Sequence, residues 1–143
     1  METLNFTSTI TIQPYGKILI IATPTNEEDI QKLEDQWSLL DEEKQLGGFH
    51  KIKYNGWNAF LIIFNLHHNQ SISYGMISHE AEHVVDYLFE SKGHEHNYEN
   101  NEPGTYLLEW IVNEIFRHFI QKNILNVLSC ESIIKNIEDT DSD

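Results

Sequence analysis

Two runs of β-forming residues flank the dipeptide Asn55–Gly56, and no other part of the chain limits its fold as strongly. Asn and Gly tolerate the positive φ angles of a type I′ turn, which joins two antiparallel strands in a tight hairpin. We therefore predict strands over Phe49–Tyr54 and Trp57–Leu66. Because Ala59–Phe64 is apolar without alternation, the second strand should be buried on both faces and lie inside a sheet.

Two shorter strands are predicted upstream of this hairpin. Polar and apolar residues alternate over Thr7–Ile12, Pro14–Gly16 has the composition of a turn, and Lys17–Thr23 is rich in isoleucine. These two strands should pair with each other. Together with the hairpin they indicate a small, mostly antiparallel sheet of about four strands.

Three stretches have the apolar spacing of amphipathic helices. Thr25 and Glu28 have the spacing of a capping box in front of the first helix, and Gly93 is placed to cap the end of the second. The predicted helices span about 26–44, about 73–92, and from Glu102 or Pro103 to Lys122. Strands and helices together predict an α+β fold.

Length and composition predict one domain over 1–137, followed by a disordered acidic tail over 138–143. No apolar run approaches the roughly 20 residues of a membrane helix, so no membrane association is expected. The N-terminus lacks the features of an export signal, and the single cysteine, Cys130, suits a reducing compartment. We therefore expect a cytoplasmic protein, or a virion-associated one if the chain is encoded by a phage.

The net charge of −14 bears on the partners of the protein. Affinity for nucleic acid comes mainly from Lys and Arg side chains that displace counterions around phosphates, so nucleic acid is not an expected partner. An acidic surface could instead bind a basic protein, although its usual effect is solubility. The oligomeric state is left open by the sequence.

The segment His79-Glu80-Ala81-Glu82-His83 matches the HExxH pattern and lies inside the second predicted helix. Residues four apart share one helical face, so both imidazoles can reach a single metal ion. Glu80 is rotated by about 100° from His79, which directs its carboxylate to a water on that ion instead of to the ion itself. This is the position of a general base in a zinc hydrolase.

A catalytic zinc ion needs a third protein ligand and an open position for water. Glu102 is the candidate third ligand, because antiparallel pairing of the second and third helices would bring the start of the third helix near the motif. Glu109, two turns further along the same helix, is the alternative. The predicted cofactor is therefore one Zn²⁺ ion held by His79, His83 and Glu102.

With these residues the chain resembles the gluzincin group of zinc metallopeptidases, whose signature is HExxH followed by a glutamate on a downstream helix. Eighteen residues separate His83 from Glu102, a spacing found in the aminopeptidase branch of the group. The stretches 77–83 and 101–107 are also similar to small HExxH proteins of bacteriophages and mobile elements of gut bacteria. The resemblance covers about 57–120 and implies a minimal zincin-like domain. The GxMEN motif of the aminopeptidases is absent, so their specificity is not implied.

Other residues have less specific signals. Tyr106, one turn after Glu102, could donate a hydrogen bond to the oxyanion of a tetrahedral intermediate, or simply pack against a neighbour. Asp86, one turn after His83, could accept a hydrogen bond from a ligand imidazole, or be an ordinary surface residue. The remaining candidates are loop histidines, which could line a cleft or be solvated: His67, His68, His94 and His96.

The sequence thus predicts a zinc-dependent hydrolase of peptide bonds, a small metallopeptidase in which Glu80 activates water and the substrate is a peptide or protein. Two alternatives come from other classes of protein. One is a non-catalytic phage structural or assembly protein that is stabilised by zinc. The other is an acidic inhibitor that binds a host protein, for which the net charge of −14 would be the important feature.

Overall fold

A computed structural model of the chain describes residues 4–39, 47–68, 71–93 and 102–124, without the side chain of Glu102. Within these ranges the fold is α+β, with three helices and one four-stranded sheet, as predicted. The chain divides into two compact units, Met1–Asn69 and Gln70–Asp143. We call them the sheet unit and the helical unit. The single domain over 1–137 stays a prediction, and the acidic tail lies outside the described residues.

The sheet unit contains the four predicted strands, in the order β1-β2-β4-β3. They are β1 (Thr7–Ile12), β2 (Lys17–Ala22), β3 (Gly48–Tyr54) and β4 (Trp57–Ile63). The β1/β2 and β3/β4 pairs are antiparallel, and the central β2/β4 pair is parallel. The sheet is therefore mixed, with mostly antiparallel pairing. The parallel pair is possible because a long crossover, which includes a helix and β3, separates β2 from β4 in sequence.

The β3–β4 hairpin has the turn that its sequence predicts. Asn55 has a φ of 50° and Gly56 a φ of 83°, so both central residues are in the left-handed region that a type I′ turn requires. Residues Ala59–Ile63 of β4 are all buried, as expected for a strand inside the sheet. The strand ends at Ile63, before the predicted Leu66. Just beyond it, the side chain of Asn65 accepts hydrogen bonds from the backbone N–H groups of His67 and His68.

The first helix, α1, spans Glu27–Trp37. It begins one residue later than the predicted capping box of Thr25 and Glu28 requires. Its N-cap is Asn26, whose side chain accepts a 2.8 Å hydrogen bond from the backbone N–H of Asp29. The Asp29 carboxylate in turn accepts from the backbone N–H of Thr25, at 3.1 Å. The predicted box of Thr25 and Glu28 is therefore wrong by one position. Asn is a better N-cap than Thr, which accounts for the difference.

The same helix ends well before the predicted residue 44. Trp37 is its last residue, and Ser38 adopts a left-handed conformation with a φ of 53°. The indole N–H of Trp37 donates a 3.1 Å hydrogen bond to the carbonyl of Lys53 in β3. This bond holds the end of α1 beside the sheet, so the tertiary contact coincides with the end of the helix.

The core of the sheet unit lies between α1 and one face of the sheet. Leu33 of α1 is fully buried among alternate residues of β2 and β4, which point to the same face. The buried cluster consists of Leu4, Phe6, Ile20, Ala22, Leu33, Ile52, Ala59, Leu61 and Ile63. Burial of each large aliphatic side chain contributes about 1.5–3 kcal/mol, so this cluster contributes substantially to the stability of the unit.

The helical unit contains α2 (Tyr74–Lys92) and α3 (Glu102–Gln121), which pack against each other. Both helices begin and end within one residue of their predicted bounds. The rings of Tyr74 and Phe116 are in contact, with centroids 5.5 Å apart. The start of α2 therefore lies beside the later part of α3, as the predicted antiparallel pairing requires.

Each of these two helices buries one face. The buried residues of α2 are Ile77, Ala81, Val84, Val85, Leu88 and Phe89. Those of α3 include Leu107, Ile111, Ile115, His118 and Phe119. Both sets recur every three or four residues, which is the period of one helical face. Among the described residues, no helix is long and apolar enough to cross a membrane.

Candidate metal centre

The HExxH segment lies in the first half of α2, and capping fixes both ends of this helix. The side chain of Ser73 accepts a 3.1 Å hydrogen bond from the backbone N–H of Met76. Gly93 ends the helix with a φ of 71°, a left-handed conformation that glycine adopts without strain. His79 and His83 are therefore one turn apart on a regular helix, as predicted.

The two imidazoles of the motif converge. The Nε2 atoms of His79 and His83 are 3.1 Å apart, and the ring planes are almost perpendicular, at 88°. His79 is exposed and His83 is half-buried. Both lie on the side of α2 opposite to its buried face, where Ala81 and Leu88 point. A ligand in solution can therefore reach the pair.

The separation of the two nitrogens suits a shared metal ion. Two imidazoles that bind zinc at about 2.0–2.1 Å in tetrahedral geometry have nitrogens roughly 3.3 Å apart. The observed 3.1 Å is close to that value. In a direct hydrogen bond one Nε2 donates and the other accepts, so the two rings are different tautomers. Metal binding through both Nε2 atoms needs only a change of tautomer and a small shift.

Glu80 supplies a carboxylate beside the pair. The residue is half-buried, and within the described part of the structure its Oε2 atom is buried without a hydrogen-bond partner. Burial raises the pKa of the Glu80 carboxyl above its ordinary value, while His79 and then His83 act in the opposite direction. An unpaired buried carboxylate oxygen is costly for stability, and such exceptions concentrate at functional sites.

The described residues do not supply a third ligand. No group of three or more His, Cys, Asp or Glu side chains that could hold a metal ion occurs in this part of the chain. Glu109, the alternative third ligand, has an exposed side chain and belongs to no such group. Glu102 is the first residue of α3, but its side chain lies outside the described residues. Its role as a ligand stays a prediction.

Two other predicted site residues are exposed. Asp86 lies one turn after His83 on the same side of α2. Tyr106 is in the first turns of α3 and is 64% exposed. The roles predicted for Asp86 and Tyr106 remain predictions.

The other histidines differ in their surroundings. His67 lies in the sheet unit, with its Nε2 4.0 Å from a carboxylate oxygen of Glu27, and its ring contacts that of His68. His94 and His96 lie outside the described residues. His118 is almost completely buried, and this burial lowers its pKa to about 4, with a smaller effect of Lys122 in the same direction.

The burial of His118 was not foreseen from the sequence. A signal for it was nevertheless present, because His118 is three residues after Ile115 and next to Phe119, both on the buried stripe of α3.

The chain was also compared with known protein families, curated proteins and solved structures, and none of the three comparisons found a match.

Proposed function

We propose that this protein is a zinc-dependent hydrolase of peptide bonds, with the metal held by His79, His83 and Glu102. The observation that supports this most directly is the pair of Nε2 atoms 3.1 Å apart on the exposed side of α2. The carboxylate of Glu80 lies in the same turn and has a buried oxygen without a partner among the described residues. A nitrogen pair and an adjacent carboxylate are the parts that this reaction requires.

The donor set fits zinc in chemical type, since two neutral imidazoles and one carboxylate leave the ion with a net positive charge. A zinc ion held by these residues would supply Lewis-acid chemistry, which polarises a carbonyl and lowers the pKa of bound water to about 7. Glu80 takes the proton from the attacking water and returns it to the leaving nitrogen as the C–N bond breaks. Burial suits this role, because a raised carboxyl pKa strengthens the base.

Tyr106 completes the proposed mechanism. Its hydroxyl would donate a hydrogen bond to the oxygen that becomes negative as water adds to the carbonyl. The resemblance to gluzincins and to small phage HExxH proteins supports the same assignment, and implies a zincin-like arrangement of the helices. The proposed location is the cytoplasm, which suits the single cysteine, or the virion if the gene belongs to a phage.

The decisive experiment compares Glu80→Gln with Glu82→Gln. Both variants lose one carboxylate from the same helix, but the two positions differ by about 200° around its axis. With zinc supplied, Glu80→Gln should retain the metal and the fold yet lose about a hundred- to ten-thousandfold in peptide turnover, the usual contribution of a general base. Glu82→Gln should cleave peptides at a rate close to that of the wild type.

Two outcomes would contradict the proposal. Equal loss of turnover in both variants would show that Glu80 has no special role. A wild-type protein that binds zinc but cleaves no peptide would favour the alternative of a non-catalytic protein stabilised by its metal.

A further inference from the structure

The solvent-facing side of α3 carries a second set of apolar residues. Successive spacings of three or four residues place Tyr106, Trp110, Asn113, Arg117 and Ile120 on the side opposite to the buried face of this helix. We call these five residues the outer stripe. Of the six large hydrophobic residues that are exposed in the described part of the chain, three belong to it: Tyr106, Trp110 and Ile120. Apolar residues gathered on one exposed surface mark a place of contact.

The end of α3 is a turn that can send the chain back along the helix. Asn123 has a φ of 57°, in the left-handed region. Its backbone N–H donates to the carbonyl of Ile120 at 3.2 Å, and the N–H of Ile124 donates to the carbonyl of Phe119 at 3.1 Å. These two bonds form a Schellman motif, which ends a helix. Loops of only a few residues join antiparallel helices.

The chain that follows this turn, residues 125–137, has the sequence pattern of an amphipathic helix. Its apolar residues recur with helical spacing, at Val127, Cys130, Ile133, Ile134 and Ile137. Glu131 and Lys135 lie away from this apolar side and are four residues apart, a spacing that stabilises a helix. An isolated helix of this length is marginal in water. The pattern therefore requires a surface that covers the apolar side.

The length of this segment matches the part of the outer stripe nearest to the turn. As a helix, residues 125–137 would span about 20 Å. Trp110 lies about 17 Å before Gln121, the last residue of α3. A helix that starts at the turn and runs antiparallel to α3 therefore extends from Ile120 to Trp110, and it ends before Tyr106.

We propose that residues 125–137 form a helix that packs antiparallel on the outer stripe and covers Trp110 and Ile120. The occupant of this surface is thus the chain's own C-terminal segment. Its apolar side and the exposed side chains of α3 remove each other from water, which supplies the free energy of the contact. Tyr106 lies beyond the end of the segment, so the proposal goes beyond the zinc site and does not depend on it.

Cross-linking in the full chain tests this contact, with Cys130 as the probe because it is the only cysteine. The proposed pairing places Cys130 beside Arg117, and one turn from Asn113. Asn113→Cys and Arg117→Cys each add a thiol on the outer stripe, whereas Lys92→Cys adds one at the end of α2. With oxidised glutathione and dilute protein, at least one of the two stripe variants should form a disulfide within most chains, since this bond needs Cα atoms less than about 7 Å apart. Lys92→Cys should form it in few.

A second readout needs no added cysteine. Trp110→Ala removes a large part of the surface on which the segment packs. It should raise the rate at which Cys130 reacts with a thiol reagent about tenfold, which corresponds to about 1.4 kcal/mol of lost packing. Trp57→Ala removes an exposed tryptophan of the sheet unit and should leave this rate unchanged.

Three outcomes would overturn the proposal. The first is cross-linking of both stripe variants no better than that of Lys92→Cys. The second is disulfides that form only between two chains, since the outer stripe would then be covered by a second copy. The third is equal reactivity of Cys130 in Trp110→Ala and the wild type. Zinc content and peptide turnover enter none of these outcomes, so the proposed function stands or falls separately.

Discussion

The sheet unit and the helical unit differ in the hydrogen bonding of their polar side chains. In the sheet unit, the hydroxyl of the buried Thr23 donates to the carbonyl of Phe6, and the indole of Trp37 donates to the backbone of β3. In the helical unit, Glu80 Oε2 is buried with no partner among the described residues. Nearly all buried polar atoms in native proteins are paired. This exception distinguishes Glu80 of α2 from the buried polar groups of the sheet unit, and it supports the role proposed for this residue.

The two faces of α2 show the same division within one helix. Its apolar face is fully buried at Ile77, Ala81 and Val84, while the opposite side carries the converging nitrogens of His79 and His83. If this division is correct, substitutions in the apolar cores should change stability and leave metal binding intact. Substitutions on the histidine side should have the reverse effect.

The largest expected effect on stability is in the core of the sheet unit. Leu33→Ala removes a fully buried side chain and should lower the free energy of unfolding by about 2–5 kcal/mol. Asp35→Asn, at an exposed position of the same helix, should change it by less than about 1 kcal/mol. Urea unfolding measures both, and the zinc content of both should equal that of the wild type. Loss of zinc in folded Leu33→Ala protein would contradict the expectation that core substitutions leave metal binding intact.

A smaller effect is expected from His118, the buried histidine of the helical unit. In the folded protein its pKa is about 4, whereas the unfolded chain takes up the proton near the ordinary value of about 6.5. Between these values the unfolded state binds more protons, so stability is complete above about pH 6.5 and falls as the pH drops towards 4. The loss should reach at most about 3 kcal/mol.

Urea unfolding at several pH values tests this expectation. The variant His118→Asn cannot take up the proton, so its stability should fall less steeply between pH 6.5 and 4 than that of the wild type. Equal slopes would mean that His118 is protonated alike in the folded and unfolded states, contrary to its burial.

The smallest expected effect on stability is at Glu80, within the proposed site. In protein freed of metal by a chelator, Glu80→Gln should be more stable than the wild type at neutral pH, by about 1 kcal/mol. The reason is that the substitution removes a charge from a partly buried position with an unpaired oxygen. Thermal unfolding with the matched Glu82→Gln variant measures it. A clear loss of stability in Glu80→Gln alone would show that Glu80 supports the fold.

Local patterns were enough to predict much of this structure. The Asn55–Gly56 turn, the bounds of α2 and the one-turn separation of His79 and His83 all follow from residues close in sequence. The sequence does not predict the end of α1, which coincides with a left-handed Ser38 and with a bond from Trp37 to a strand that comes later in the chain. The parallel pairing of β2 with β4 also depends on contacts between distant segments.

The sequence predicts which residues form the proposed site better than it predicts the burial and packing around them. Spacing alone placed Glu80 next to the histidine pair, but its buried oxygen is a consequence of packing that no local pattern encodes. The same holds for the burial of His118. Spacing and the position at the start of α3 predict Glu102 as the third ligand, and its side chain lies outside the described residues.

The proposed zinc site is tested most directly by the metal content of protein purified without a histidine tag. Wild-type protein and His67→Ala, which removes a histidine of the sheet unit, should each contain about one zinc ion per chain, while His83→Ala should contain none. Stoichiometric zinc in His83→Ala, or its absence from the wild type after growth and purification with zinc, would rule out a zinc site that depends on His83.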